Sequence, residues 1–216
     1  MHNHQEIIDK MSKLREFVIF KLSNYKNHPD YIWSDRMLFD VKDGGLVPNK
    51  DYMFRRYGKY GWSRGALLNL AIGQGELLVT PIQVLNYINL ISTKGESPNC
   101  HFVVVENLPN NSKPDLEAII WQQVHDGMRS AIIDEKGTGR KSDPNIDGLS
   151  IYGKTGTAEN PHGDNHAWFT GWAEYLNDKY SIVILLENAA SGGGGAAPLA
   201  NKVFKEMVNN NFITLK

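Results

Sequence analysis

Lys154-Thr155-Gly156-Thr157 places a cation, two hydroxyls and a glycine in consecutive positions. On a strand beside a loop, this set suits a carboxylate. Lysine supplies a point charge and each threonine a donor, while the glycine lets an incoming backbone lie against the strand edge. The same residues also make an ordinary solvated strand end, so the neighbourhood has to decide.

Two other patterns compete for the same residues. Gly148-Leu149-Ser150-Ile151-Tyr152-Gly153-Lys154-Thr155 satisfies the phosphate-cradling pattern G-x-x-x-x-G-K-[ST] letter for letter. A phosphate cradle, however, follows a buried strand and opens a helix. Residues 141–147 are polar and turn-like, and Gly156, Pro161 and Gly163 interrupt any helix downstream. Leu149, Ile151 and Tyr152 read better as a strand, which weighs against the nucleotide reading. The serine motifs that accompany K-T-G in acyl-transfer enzymes also have letter matches. Ser23-Asn24-Tyr25-Lys26 fits S-x-x-K, and Ser97-Pro98-Asn99 fits S-x-N. A serine activated by a lysine one helical turn on needs a helix, but Asn27, His28, Pro29 and Asp30 follow Lys26. Ser97 trails the helix stop at Gly95. Both matches read as chance, and no nucleophile is found. His101, His125 and His162 lack the spacing of a metal site and read as structural or solvated. His166 and Trp168 alternate along a strand, where hairpin packing is the commoner role and ligand contact the rarer one.

The elements that must position Lys154 follow from periodicity and punctuation. Residues 1–42 read weakly: a mixed-charge stretch, a short β-prone run at 17–22, then a polar segment. Thr80-Pro81-Ile82-Gln83 combines a cap, a proline at the first helical position and a capping box. It predicts a deeply buried helix over 80–93, with Ile82, Leu85, Ile88 and Ile91 on one face, stopping at Gly95. A strand is expected at 101–106, and a helix from Pro114 through Ile119, Val124, Met128 and Ile132. Strands follow at 149–158, 167–174 and 180–187, the last two a hairpin whose Asn177 and Asp178 tolerate a left-handed turn. A glycine loop at 192–195 leads to a closing helix over 197–209. The class is α+β, an antiparallel sheet flanked by helices.

Bulk properties narrow the partners. With 216 residues and 41% hydrophobic content the chain can build one large core. Its 23 basic and 24 acidic side chains nearly cancel, which disfavours nucleic acid and anionic membrane surfaces. Cys100 is alone, so no internal disulfide is expected. No apolar stretch approaches a membrane span or a signal core, and the chain as written reads as soluble.

Four blocks in order resemble class B penicillin-binding proteins across residues 43–208. Gly45-Leu46-Val47-Pro48 is similar to that family's G-L-V-P loop. Ile72-Gly73-Gln74-Gly75 with Thr80-Pro81-Ile82-Gln83 is similar to its I-G-Q-G and T-P-x-Q signature. Gly137-Thr138-Gly139 resembles the G-T-G or G-T-A ahead of the active-site strand. Gly153-Lys154-Thr155-Gly156-Thr157-Ala158 and His166-Ala167-Trp168-Phe169-Thr170-Gly171-Trp172 resemble the third motif and the strand after it. The resemblance implies a partial penicillin-binding, serine β-lactamase-like fold, with residues 1–42 unassigned and 43–216 the C-terminal part of a transpeptidase domain. It implies serine-type acyl transfer from D-Ala-D-Ala stem peptides, or from β-lactams, with no cofactor. Lys154 would lower the energy of the site's anions, Thr155, Gly156 and Thr157 would hold the substrate, and the Thr157 backbone N–H would form half of an oxyanion hole. In that family S-x-x-K and S-x-N precede G-L-V-P, so the chain reads as a C-terminal fragment, inactive alone. The parent would sit in the inner membrane facing the periplasm or cell exterior, tethered through its N-terminal part. A nucleotide binder through Gly148 to Thr155, and a non-catalytic module binding an extended peptide on the 149–158 strand, stay open as alternatives.

Overall fold

The computed structural model describes residues 48–75, 78–96, 114–189 and 191–215. The expectations for residues 1–42, the strand at 101–106, Gly45-Leu46-Val47, Ser23-Asn24-Tyr25-Lys26 and Ser97-Pro98-Asn99 lie outside the described residues.

Three strands, β1 (Leu149–Ala158), β2 (His166–Tyr175) and β3 (Asp178–Leu186), form an antiparallel sheet in sequence order. β2 is central, and β1 is an edge of the sheet the described residues form. The register pairs Lys154 with Thr170 and Gly156 with Trp168. Alternation sends odd-numbered residues of β1 and β2 to one face and even-numbered ones to the other. The odd face carries Leu149, Ile151, Phe169 and Ala173, which pack with Ala200 and Phe204 of α5 (Ala197–Asn209). On the even face, Trp172 joins Ile88 and Ile91 of α3 (Pro81–Ser92) and Trp121 and Met128 of α4 (Ala118–Ile133). Helices thus cover both faces of an antiparallel sheet, the α+β architecture expected. Ahead of them stand α1 (Lys50–Tyr57) and α2 (Arg64–Ala71).

Glycine lets the sheet close where side chains crowd it. A Cβ on Gly153 would lie 2.5 Å from Cζ of Phe169, and one on Gly171 would lie 2.1 Å from the Tyr152 carbonyl oxygen. The ring of Phe169 therefore fills the volume beside Gly153.

Three expectations need correction. The 80–93 helix forms with its capping box, the Gln83 N–H donating to Thr80 Oγ1 at 3.3 Å and the Thr80 N–H to Gln83 Oε1 at 2.8 Å. It is not deeply buried. Only Ile88, Ile91 and Ser92 are, and Tyr87 is 62% exposed, because α3 rests one flank on the sheet and α4 and leaves the other open. The helix expected from Pro114 begins at Ala118. Its N-cap is Glu117, whose extended backbone at φ −60° and ψ 146° keeps residues 114–117 outside the helix. In the β2–β3 hairpin the left-handed residue is Leu176, at φ 54°, instead of the asparagine or aspartate expected. The connection is only Leu176 and Asn177, where the expected strand ends left residues 175–179 between them, since β2 runs to Tyr175 and β3 starts at Asp178.

Candidate active site

The K-T-G tetrapeptide lies in the second half of β1, on the edge of the sheet that no strand among the described residues covers. In an antiparallel strand the N–H and C=O of one residue point to the same side. The carbonyls of Ile151, Thr155 and Thr157 each accept from groups other than β2: Arg129 Nη1 at 2.8 Å, Lys154 Nζ at 2.5 Å and Gln74 Nε2 at 3.3 Å. The N–H groups of these odd-numbered residues therefore point out along that edge too. Thr157, exposed, presents both a hydroxyl and an outward amide there.

The expected site residues divide by face. Lys154 is exposed, and its side chain shares the even face with Thr170. Together they meet an apolar trough of about 410 Å³ between α3 and α4, lined also by Val84, Tyr87, Ile88 and Val124. Thr155 is only 9% exposed, and its hydroxyl lies 2.8 Å from that of Thr138. Its side chain is thus engaged, and Thr157, on the same face but exposed near the end of the strand, is the threonine with an accessible hydroxyl. Thr157 Oγ1 accepts a long bond of 3.4 Å from the Gly192 N–H, which leaves its own proton available. Gly156 keeps the strand surface flat: a Cβ there would lie 3.3 Å from Cβ of Trp168.

Two residues beyond the tetrapeptide hold it. Thr138 is carried by a loop that folds back on α4, with the Gly139 N–H donating to the Ala131 carbonyl at 2.9 Å. A Cβ on Gly139 would lie 2.7 Å from Cδ1 of Ile132, so the turn needs glycine for space. Gln74 is the other. The G-T-G and I-G-Q-G blocks carried both as signals, but spacing alone gives neither a partner on β1.

The remaining candidates are structural. His125 is buried, with Nε2 2.8 Å from the Ile91 carbonyl; a carbonyl only accepts, so Nε2 carries the proton. Its ring lies 5.0 Å from Trp172, which stacks on Tyr152 at 4.7 Å. Burial pushes the Tyr152 phenol above its ordinary value, Glu174 and Asp126 add to the rise, and Arg129 opposes it. His166 Nδ1 accepts from the Asn188 N–H at 3.1 Å, a hairpin contact. His162 is exposed. Gly148 to Thr155 forms no phosphate cradle, since Leu149–Ala158 is a strand and no helix opens after Thr155. Among the described residues no cluster of histidine, cysteine, aspartate or glutamate could hold a metal ion. No helix among them is long and apolar enough to cross a membrane.

The penicillin binding protein transpeptidase domain, as a family, matches residues 40–207. The chain belongs to this family. This chain is 30% identical to the peptidoglycan D,D-transpeptidase MrdA of Haemophilus influenzae, over 88% of this chain and 33% of the relative. It therefore spans about a third of the length of that curated relative. Among solved structures it is similar to PBP2 of Helicobacter pylori in complex with MreC (TM-score 0.60, 32% identity, 75% of this chain, 31% of that one). PBP2 of Pseudomonas aeruginosa in complex with WCK 5153 is similar as well (TM-score 0.63, 28% identity, 80% of this chain, 38% of that one). The class B resemblance and the partial fold are borne out.

Proposed function

We propose that this chain supplies the K-T-G wall of a serine acyl-transfer site acting on D-Ala-D-Ala stem peptides and β-lactams in peptidoglycan synthesis. The observation that carries the reading is the open β1 edge, where Thr157 offers a hydroxyl and an outward amide beside the Lys154 ammonium. The Thr157 hydroxyl donates to the substrate carboxylate, and Lys154 adds charge assistance, each such bond contributing about 1.5–3 kcal/mol. The Thr157 N–H faces the carbonyl oxygen under attack; losing one such donor costs on the order of 10²–10³ in rate. Thr155 supports the strand through Thr138. Residues 43–216 form the C-terminal part of the transpeptidase domain, consistent with the family match over residues 40–207.

The nucleophile in this reading comes from a segment bearing S-x-x-K, seated over the trough between α3 and α4, so that its serine meets Lys154 and Thr157. A site without its nucleophile loses on the order of 10⁶ in turnover in the best-measured serine hydrolase. Incubated with a fluorescent penicillin, the 216-residue chain should stay unlabelled. Joined to the S-x-x-K segment of a relative such as the H. influenzae protein, it should label, and Lys154→Ala should weaken that labelling. A stoichiometric adduct on Ser23 of the chain alone, read by mass spectrometry, would overturn the assignment of the nucleophile to another segment. Failure of the joined protein to label would sink the transpeptidase reading.

A further inference from the structure

We infer that Gln74 is a positioning residue for the K-T-G strand, gripping the Thr157 carbonyl and so setting the direction of the Thr157 N–H. The inference rests on the reading above, in which that N–H stabilises the oxyanion.

Gln74 Nε2 donates to the Thr157 carbonyl at 3.3 Å, across 83 residues of sequence. Because N–H and C=O of one residue share a side of the strand, a grip on this carbonyl acts on the side from which the amide points. Arg129 holds the edge near its start, at Ile151, and Gln74 holds it near its end, one residue before β1 stops at Ala158. A strand end with a free outer side is where a sheet frays first. Gln74 therefore stands where the donor is least constrained by the rest of the fold.

Its placement follows from how α2 ends. The Gly73 N–H donates to the Leu70 carbonyl at 3.1 Å and the Gln74 N–H to the Asn69 carbonyl at 2.9 Å, the paired bonds of a Schellman stop. Gly73 and Gly75 both take left-handed backbone, at φ 76° and 75°. A Cβ on Gly73 would meet nothing within 4 Å, so the backbone conformation, not space, demands glycine. Two left-handed residues flank Gln74 and turn it off the helix axis toward β1. The I-G-Q-G block is a mount for one amide. An amide also suits the position chemically, since a glutamate would set an anion against the carbonyl and near the developing negative charge.

The grip is tested first in the chain as it stands, by amide hydrogen exchange. Gln74→Ala should speed exchange of the Ala158 amide about ten-fold, the equivalent of one lost hydrogen bond, with the Trp172 amide unchanged. Gly73→Ala should reproduce the effect by misdirecting Gln74, and Gln74→Arg, which restores a donor, should reverse most of it. Unchanged exchange at Ala158 in Gln74→Ala would overturn the grip. The second arm uses the chain joined to the S-x-x-K segment. There Gln74→Ala should lower the acylation rate constant by about ten-fold or more while the dissociation constant before acylation stays within about twofold, and Gln74→Arg should recover the rate. An equal loss in affinity, or no loss in rate, would overturn the positioning role. If the joined wild-type protein is never acylated, the transpeptidase reading falls and the oxyanion role with it, while the exchange arm still decides the grip.

Discussion

Replacing Thr138 by valine leaves the Thr155 hydroxyl buried without its 2.8 Å partner. The cost should be about 1–3 kcal/mol, the penalty of an orphaned buried polar group, measured as a shift in the urea midpoint. Thr155→Val on the same background should recover much of it, since two apolar groups in contact orphan nothing. Strict additivity in that double-mutant cycle would show that the two hydroxyls do not interact. Tyr152 gives a pH dependence. Its folded-state value lies above the ordinary 10.0 because burial disfavours the phenolate. The stability it contributes is complete below pH 10 and is lost as pH rises through the folded value. Tyr152→Phe should flatten that alkaline decline in a series of urea midpoints, and an unchanged slope would remove Tyr152 as its source. At this scale the sequence told where Lys154 and Thr157 stand, because the tetrapeptide is contiguous. It did not tell that Thr155 turns inward, since that depends on Thr138 and on which face of β1 the core occupies.

Among the elements, β1 was legible to the residue, its Leu149 and Ile151 alternating toward the odd face and its end marked by polar residues. The capped start of α3 was legible too, for Thr80, Pro81 and Gln83 act within one turn. Burial of α3 was not, because periodicity gives the face a helix can bury and says nothing of what lies against it. The hairpin misread is of another kind: asparagine and aspartate were available, yet Leu176 takes the left-handed position because the β2 register runs on through Tyr175. A bulky residue in that conformation costs roughly 1 kcal/mol. Leu176→Asn should therefore stabilise the chain by about 0.5–1 kcal/mol with an unchanged denaturant slope. A loss of stability instead would mean that the leucine side chain contributes more than its backbone costs.

For the molecule as a whole, the trough between α3 and α4 separates stability from assembly. Val124 is 38% exposed and Tyr87 62%, so Tyr87→Lys with Val124→Lys should change the chain's own stability by no more than about 0.5 kcal/mol. In the joined protein the same pair should abolish penicillin labelling, because two cations would then line the surface on which the proposed serine-bearing segment would sit. Labelling that survives would place that segment elsewhere.

On the odd face, Gly192–Ala196, expected as a loop but folded as a π-helical turn that runs into α5, presses main chain directly onto main chain. A Cβ on Gly192 would lie 2.4 Å from the Gly156 carbonyl oxygen and 2.5 Å from that of Trp168. The rear of the K-T-G strand is thus sealed by atoms that every amino acid shares. Side chains around this contact can change without altering it, whereas any side chain at Gly192 collides with it. Any variation at Gly192 therefore has to displace the strand itself, which ties the packing behind Lys154 and Thr157 to the geometry in front.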